Sequence, residues 1–213
     1  MSETSKPQTR NKERTQSLIL AAATEEFAEK GFAGARIEKI AERSGSNKRM
    51  LYYYYQNKED LFLAVMESAY KTIRDAESEL HLLDLQPVEA IRRLITFTWD
   101  YYLQHPEFLR LLNTENLYHA EHIRRSKNIG FYNSKLIDTL NEILIRGQSE
   151  KLFRGGVDPL QLYISIAALS YFYLSNNDTL SAVFGRDLNT PKAKVERLQH
   201  MTDIVLGYLM LCS

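Results

Sequence analysis

Apolar residues recur along this chain at steps of three and four, and no stretch alternates as a strand would. Ile19, Ala22, Ala23 and Phe27 mark one face of a first helix, and "EKGF" predicts its stop with Gly31 as a left-handed cap. Ile37, Ile40 and Ala41 mark a short second helix, closed by "SGS" at Gly45. A third spans about Asn47 to Tyr55. A fourth opens at "NKEDLF", where Asn57 is placed to cap and Asp60 to reciprocate, and runs to about Glu79.

Pro87 starts a helix reaching His105, and Pro106 occupies the favoured first position of the next. A long segment from about His122 to Leu152 ends in "RGG". The stretch "DPLQLYISIAALSYFYLSN" is apolar nearly all round, which predicts burial on more than one side. A last helix follows in "PKAKVERLQHMTDIVLGYLMLC". The pattern predicts an all-α chain of about nine helices.

Composition narrows the class. The 213 residues contain no apolar run of membrane-spanning length, and the polar "MSETSKPQTRNKER" reads as an arm over residues 1–12 rather than a leader. Cys212 is the one cysteine, so neither an internal disulfide nor a cysteine zinc site is available. A cytoplasmic protein without cofactor is expected. Net charge is zero, yet residues 1–58 hold 11 Lys and Arg against 7 Asp and Glu, and from Arg43 to Lys58 there are four cations and no acid. That asymmetry fits a small nucleic-acid-reading module joined to a larger domain, or simply a solvated basic surface.

The spacing between Ile37 and Tyr55 favours the module. "IEKIAERSGSNKRMLYYYY" joins two short helices through a tight glycine turn, as a helix-turn-helix requires. Small Ala41 permits close approach of the helices, and the second helix then projects its N-terminal residues into a major groove. Lys48 and Arg49 carry donors for base acceptors. Asn47, Met50, Tyr53 and Tyr54 lie on or beside the same end, and Lys58 places a cation at the start of the fourth helix.

With "ILAAATEEFAEKGF" and "IEKIAERSGSNKRMLYYYYQNKEDLF", the chain resembles the TetR family of bacterial transcriptional regulators over residues 15–62. The landmarks are Phe27, Gly31, Ile40, Ala41, Gly45, Leu51, Tyr52, Lys58 and Leu61. The resemblance implies a DNA-binding domain over 13–60 and an effector-binding, dimerising domain over 61–213. It implies that Tyr52 contacts phosphate and that the ring at Tyr55 packs inward. Two departures stand out. Arg36 replaces the usual capping serine or threonine, so that cap must come from elsewhere, and Ser46 replaces a commonly apolar turn residue. Arg36 itself joins the expected DNA contacts.

One helix-turn-helix offers little surface for operator affinity, so a homodimer on double-stranded DNA is expected. The two apolar C-terminal helices supply the expected dimer face, with Leu162, Ile166, Leu169, Tyr173, Leu206 and Leu209. Trp99, Tyr102, Asn113, Glu115, Asn116, His119 and Tyr171 combine apolar walls with polar groups, the makeup of a small-molecule site. Glu115, His119 and His122 fall at i, i+4 and i+7 on one helical face, a spacing that suits a metal, though a solvated face accounts for it more cheaply. No phosphate loop, G-x-S-x-G or H-E-x-x-H is present, which argues against an enzyme. The leading expectation is a repressor released by an effector; the alternative is an activator or effector-independent regulator of the same fold.

Overall fold

The computed structural model describes residues 6–211, with side chains from residue 12 onward. Nine α-helices account for most of that length: α1 (Lys6–Gly34), α2 (Ile37–Arg43), α3 (Lys48–Tyr54), α4 (Lys58–Ser78), α5 (Pro87–Gln104), α6 (Pro106–Leu117), α7 (Asn128–Ser149), α8 (Pro159–Phe184) and α9 (Pro191–Leu209). Among the described residues the only β pairing is an isolated bridge between Phe153 and Met210. Residues 1–5 of the expected arm, and Cys212, lie outside the described residues. From Lys6 the backbone is already helical, with Pro7 in the first turn where its missing N–H costs nothing.

Two compact units divide the chain; the first boundary falls at residue 70, along the fourth helix and later than residue 60, and the segment from residue 107 to 129 rejoins the first unit. The first comprises residues 1–70 and 107–129; the second comprises 71–106 and 130–213. The first unit packs around Ile19, Ala23 and Phe27 of α1, Ile40 of α2, Leu51 of α3 and Phe62, Val65 and Met66 of α4, all almost wholly buried. Leu111 of α6 joins that core, which is why α6 belongs with the N-terminal helices. Phe27, Phe32 and Phe62 meet edge-on or stacked, with the Phe27 and Phe62 rings 5.0 Å apart.

The second unit is built on α5, whose Ile91, Leu94, Ile95 and Trp99 face Leu140, Ile143 and Leu144 of α7, Leu162 and Ile166 of α8, and Met201, Val205 and Leu209 of α9. Regular helix in α1 stops at Gly31 (φ 65°), as the sequence predicts. Asp158 and Thr190 cap α8 and α9 by accepting the Gln161 and Ala193 N–H groups, each with proline at the following position. Helix α4 is continuous across residue 70 and so belongs to both units.

Candidate nucleic-acid interface

The turn between α2 and α3 is closed by its own backbone. Ser46 N–H donates to Ala41 O at 3.0 Å and Ser44 N–H to Ile40 O at 3.0 Å, while Gly45 takes the left-handed φ of 63° that a side chain disfavours. Asn47 caps α3: its Oδ1 accepts the Met50 N–H at 2.9 Å. Asn47 therefore holds the reading helix by that oxygen, while the residue itself stays exposed. Leu51 anchors α3 in the core.

That anchor partitions the tyrosine run. Residues 51, 54 and 55 share a helical face, so Tyr54 and Tyr55 are half-buried and pack on the first unit's core. Tyr52 and Tyr53 are 43% and 72% exposed. The Tyr53 ring stands edge-on to Tyr54 at 5.2 Å. Tyr54, expected beside Tyr53 at the DNA, is drawn back toward the module by its register with Leu51.

The cations are less free than their count suggested. Arg43 is held by three carboxylates of α1: Glu29 at 3.0 Å, Glu26 at 3.5 Å and Glu25 at 3.6 Å. Lys48 pairs with Glu38 of α2 at 2.5 Å, and the bond to Lys48 holds the Glu38 carboxyl below its usual range. Lys58 Nζ lies 5.0 Å from the Phe32 ring centre and 3.4 Å from Ala33 O, and partial burial pushes its pKa down. Arg36 and Arg49 are exposed and, among the described residues, make no side-chain hydrogen bond or ion pair. Exposed pairs such as Lys48–Glu38 contribute little and exchange readily for a phosphate. Asp60, expected to complete the cap of α4, pairs with Arg125 instead, while Asn57 Oδ1 accepts the Asp60 N–H at 2.7 Å.

The residues expected to line an effector site are divided between the two units. Trp99 and Tyr102 are buried in the second unit, and the Trp99 and Tyr173 rings meet at a tilt, 5.7 Å apart, as core. Tyr171 is half-buried on α8. Asn113, Asn116 and His119 are exposed in the first unit. Glu115 is buried, with its carboxylate committed: Oε1 accepts the His122 and Ile123 N–H groups, each at 2.9 Å, and Oε2 lies 2.8 Å from His122 Nδ1. Helix α6 ends at Leu117, and His119 and Ala120 have positive φ, so Glu115, His119 and His122 are not on one continuous helix. No group of three metal-ligating side chains occurs among the described residues.

A cleft of about 520 Å³ lies elsewhere in the second unit, between the end of α4, the following 3-10 turn at Leu82–Asp84 and α7. Leu82, Leu83, Leu136 and Phe131 supply apolar wall, and Arg74 and Glu77 supply buried charge. Arg74 Nη1 is 2.6 Å from Glu77 Oε2, and Arg74 Nη2 donates to the Tyr163 hydroxyl at 2.8 Å. The pair lacks hydrogen-bond alignment: Arg74 Nε and Nη1 and both Glu77 oxygens have no hydrogen-bond partner. Burial pushes the Glu77 carboxyl up to about 7, against the pull of Arg74. Sequence reasoning missed this pair because Arg and Glu at i, i+3 on a helix ordinarily mark its solvated side.

The expected dimer residues are also relocated. Leu162, Ile166, Tyr173, Leu206 and Leu209 are buried in their own subunit's core, and Leu169 packs against it. The exposed apolar side of α8 is instead Leu160, Ile164 and Phe172, continued by Val183, with Ile204 and Tyr208 exposed on α9. An all-round apolar helix has two such stripes, and sequence alone does not say which one faces inward.

Two family models match this chain. Residues 19–65 match the family described as bacterial regulatory proteins, tetR family, and residues 87–205 match the tetracyclin repressor-like C-terminal domain. The HTH-type transcriptional repressor NicS of Pseudomonas putida is 41% identical over 194 residues, covering 91% of this chain and 92% of that protein. The HTH-type transcriptional regulator RutR of Escherichia coli K12 is 31% identical over 170 residues, covering 80% and 78%. A TetR family transcription regulator from Marinobacter aquaeolei superposes with a TM-score of 0.70 at 21% identity, covering 95% of this chain and 98% of that one. The putative transcriptional regulator SCO4942 from Streptomyces coelicolor gives 0.69 at 22% identity, covering 92% and 98%. Matched in both its DNA-reading and its C-terminal halves, the chain belongs to the TetR family of bacterial regulatory proteins.

Proposed function

We propose that this DNA-binding regulator is a repressor that acts as a homodimer on operator DNA and is released by a small molecule held in the second unit. The observation that carries this reading is the first unit's reading head. A capped, core-anchored α3 offers Arg49, Tyr52 and Tyr53 to solvent, with Arg36 exposed at the start of α2. Similarity to a repressor along most of the chain supports repression as the sign of control.

The α8–α9 side bearing Ile164 (48% exposed), Phe172 (58%) and Tyr208 (50%) is the surface assigned to a second copy. Exposed apolar side chains of this number on two neighbouring helices mark an interaction surface. The cleft beside Arg74 and Glu77 is the effector site in this reading, in place of the Trp99 and Glu115 set. A polar ligand group entering it meets charges whose hydrogen bonding is incomplete. Helix α4 carries that pair near its end and Lys58 in its first turn. A ligand that prefers one placement of α4 thereby alters operator binding, and a near-complete switch needs about 10⁴-fold preference.

The test selects duplexes from a random-sequence library with the purified protein, then screens metabolites by thermal shift and by release of the selected duplex. Enrichment of a two-fold symmetric sequence and release by a stabilising compound are expected. Release that is unaffected by Arg74→Ala would move the effector elsewhere.

A further inference from the structure

Helix α2 has neither half of a local cap. Its N-cap residue is Arg36, whose side chain makes no capping bond, and the residue three further on is Lys39, which has no acceptor to offer and instead pairs with Glu42 at 2.7 Å. The missing acceptor arrives from another helix. Glu26 of α1 is buried, and its Oε1 accepts the Arg36 backbone N–H at 3.1 Å. Its second oxygen lies 3.5 Å from Arg43, the last residue of α2. One carboxylate therefore grips both ends of the helix that sets the angle of the reading head.

We propose that Glu26 is a positioning residue for DNA binding: it supplies the acceptor for the Arg36 N–H that Lys39 cannot offer, and so fixes the start of α2 and with it the Arg36 side chain, which meets a DNA phosphate. A buried carboxylate is costly unless it is hydrogen-bonded and paired, and both conditions are met here. With its N–H held by α1, position 36 carries a long cation, exposed and in no side-chain hydrogen bond or ion pair among the described residues. In a helix-turn-helix the first helix crosses the phosphate backbone, which is where such a cation contributes. The inference rests on the DNA-binding reading above.

The experiment uses the full chain and the duplex that the wild-type protein enriches from a random library. Binding is measured against salt for wild type, Glu26→Ala, Glu26→Gln, Arg36→Ala and the double alanine variant, with the melting temperature of each. Arg36→Ala should lower the slope of log K against log salt by about one unit. Glu26→Ala should weaken binding about tenfold and lower the slope equally, and the double variant should be no worse than either single one. Glu26→Gln keeps an acceptor for the Arg36 N–H and should stay within about threefold of wild type. If Glu26→Ala does not fold, adding Arg36→Ser and Lys39→Glu gives α2 its own capping box; the triple variant should fold and bind with the slope of Arg36→Ala. Glu26→Ala with wild-type affinity and slope, fully additive losses, or a triple variant that stays unfolded would overturn the proposal. A wild-type chain that enriches no duplex defeats the DNA-binding reading first and the proposal with it.

Discussion

At the scale of residues, exposure separates readers from anchors. Arg49→Ala should cost about 1–3 kcal/mol on the selected duplex and relax preference at one base pair, because a bidentate donor to guanine is lost. Competition against single-base variants of the duplex checks this, and equal losses on selected and random DNA would refute it. Tyr53→Ala should weaken DNA binding with little change in melting temperature, whereas Tyr54→Ala should lower the melting temperature, since only the second ring packs on the core. Glu77 makes a separate prediction. Burial raises its folded-state pKa to about 7 from 4.5, so the folded protein keeps a proton that the unfolded chain releases. Its stabilising contribution is therefore complete below about pH 4.5 and is lost as pH rises through about 7. Glu77→Gln should remove that dependence, worth roughly 3 kcal/mol between the extremes. Urea unfolding at pH 5 and pH 8 measures it, and identical pH slopes in the two proteins would exclude the assignment.

At the scale of elements, short connections are fixed by single buried groups. Glu115 at the end of α6 ties down the turn after it by taking two backbone N–H groups and the His122 ring, which itself packs against Phe32 and Phe62. Glu115→Ala strands those donors and should destabilise the first unit by about 2–3 kcal/mol, seen as a loss of hydrogen-exchange protection over residues 118–125. Gly147 is fixed by close approach. An added Cβ would stand 2.1 Å from the Phe153 ring, while Leu152 and Phe153 N–H groups both bond to Gly147 O. Gly147→Ala should lower the melting temperature by forcing that aromatic ring out of its place.

At the scale of the molecule, the two stripes of α8 have opposite duties. Ile164→Asp with Phe172→Asp should leave a folded protein that sediments as a monomer and binds its duplex weakly. Ile166→Asp should instead unfold it, because a charge would enter a fully buried position. A folded dimer bearing both exposed-side aspartates would refute the assigned interface.

Periodicity and punctuation in the sequence were sufficient for helix number, helix ends and the DNA-reading family. The helix-turn-helix was legible because its constraints are local: Ala41, Gly45, Asn47 and Leu51 act within one turn of the chain. Glycine and proline stops placed most helix ends within a residue or two, although α8 runs on to Phe184, well past the expected "SN" end. What required tertiary structure was the choice of partner across the chain. Whether Leu162 or Ile164 faces inward depends on where α5 and α9 lie, and a helix apolar on all sides carries no record of that. The pairing of Lys48 with Glu38 and the grip of Glu26 on Arg36 are likewise contacts between different helices, and the burial of Arg74 with Glu77 depends on what packs over α4. Charge along the chain shows which groups exist, and only packing decides which are neutralised and which are left for DNA.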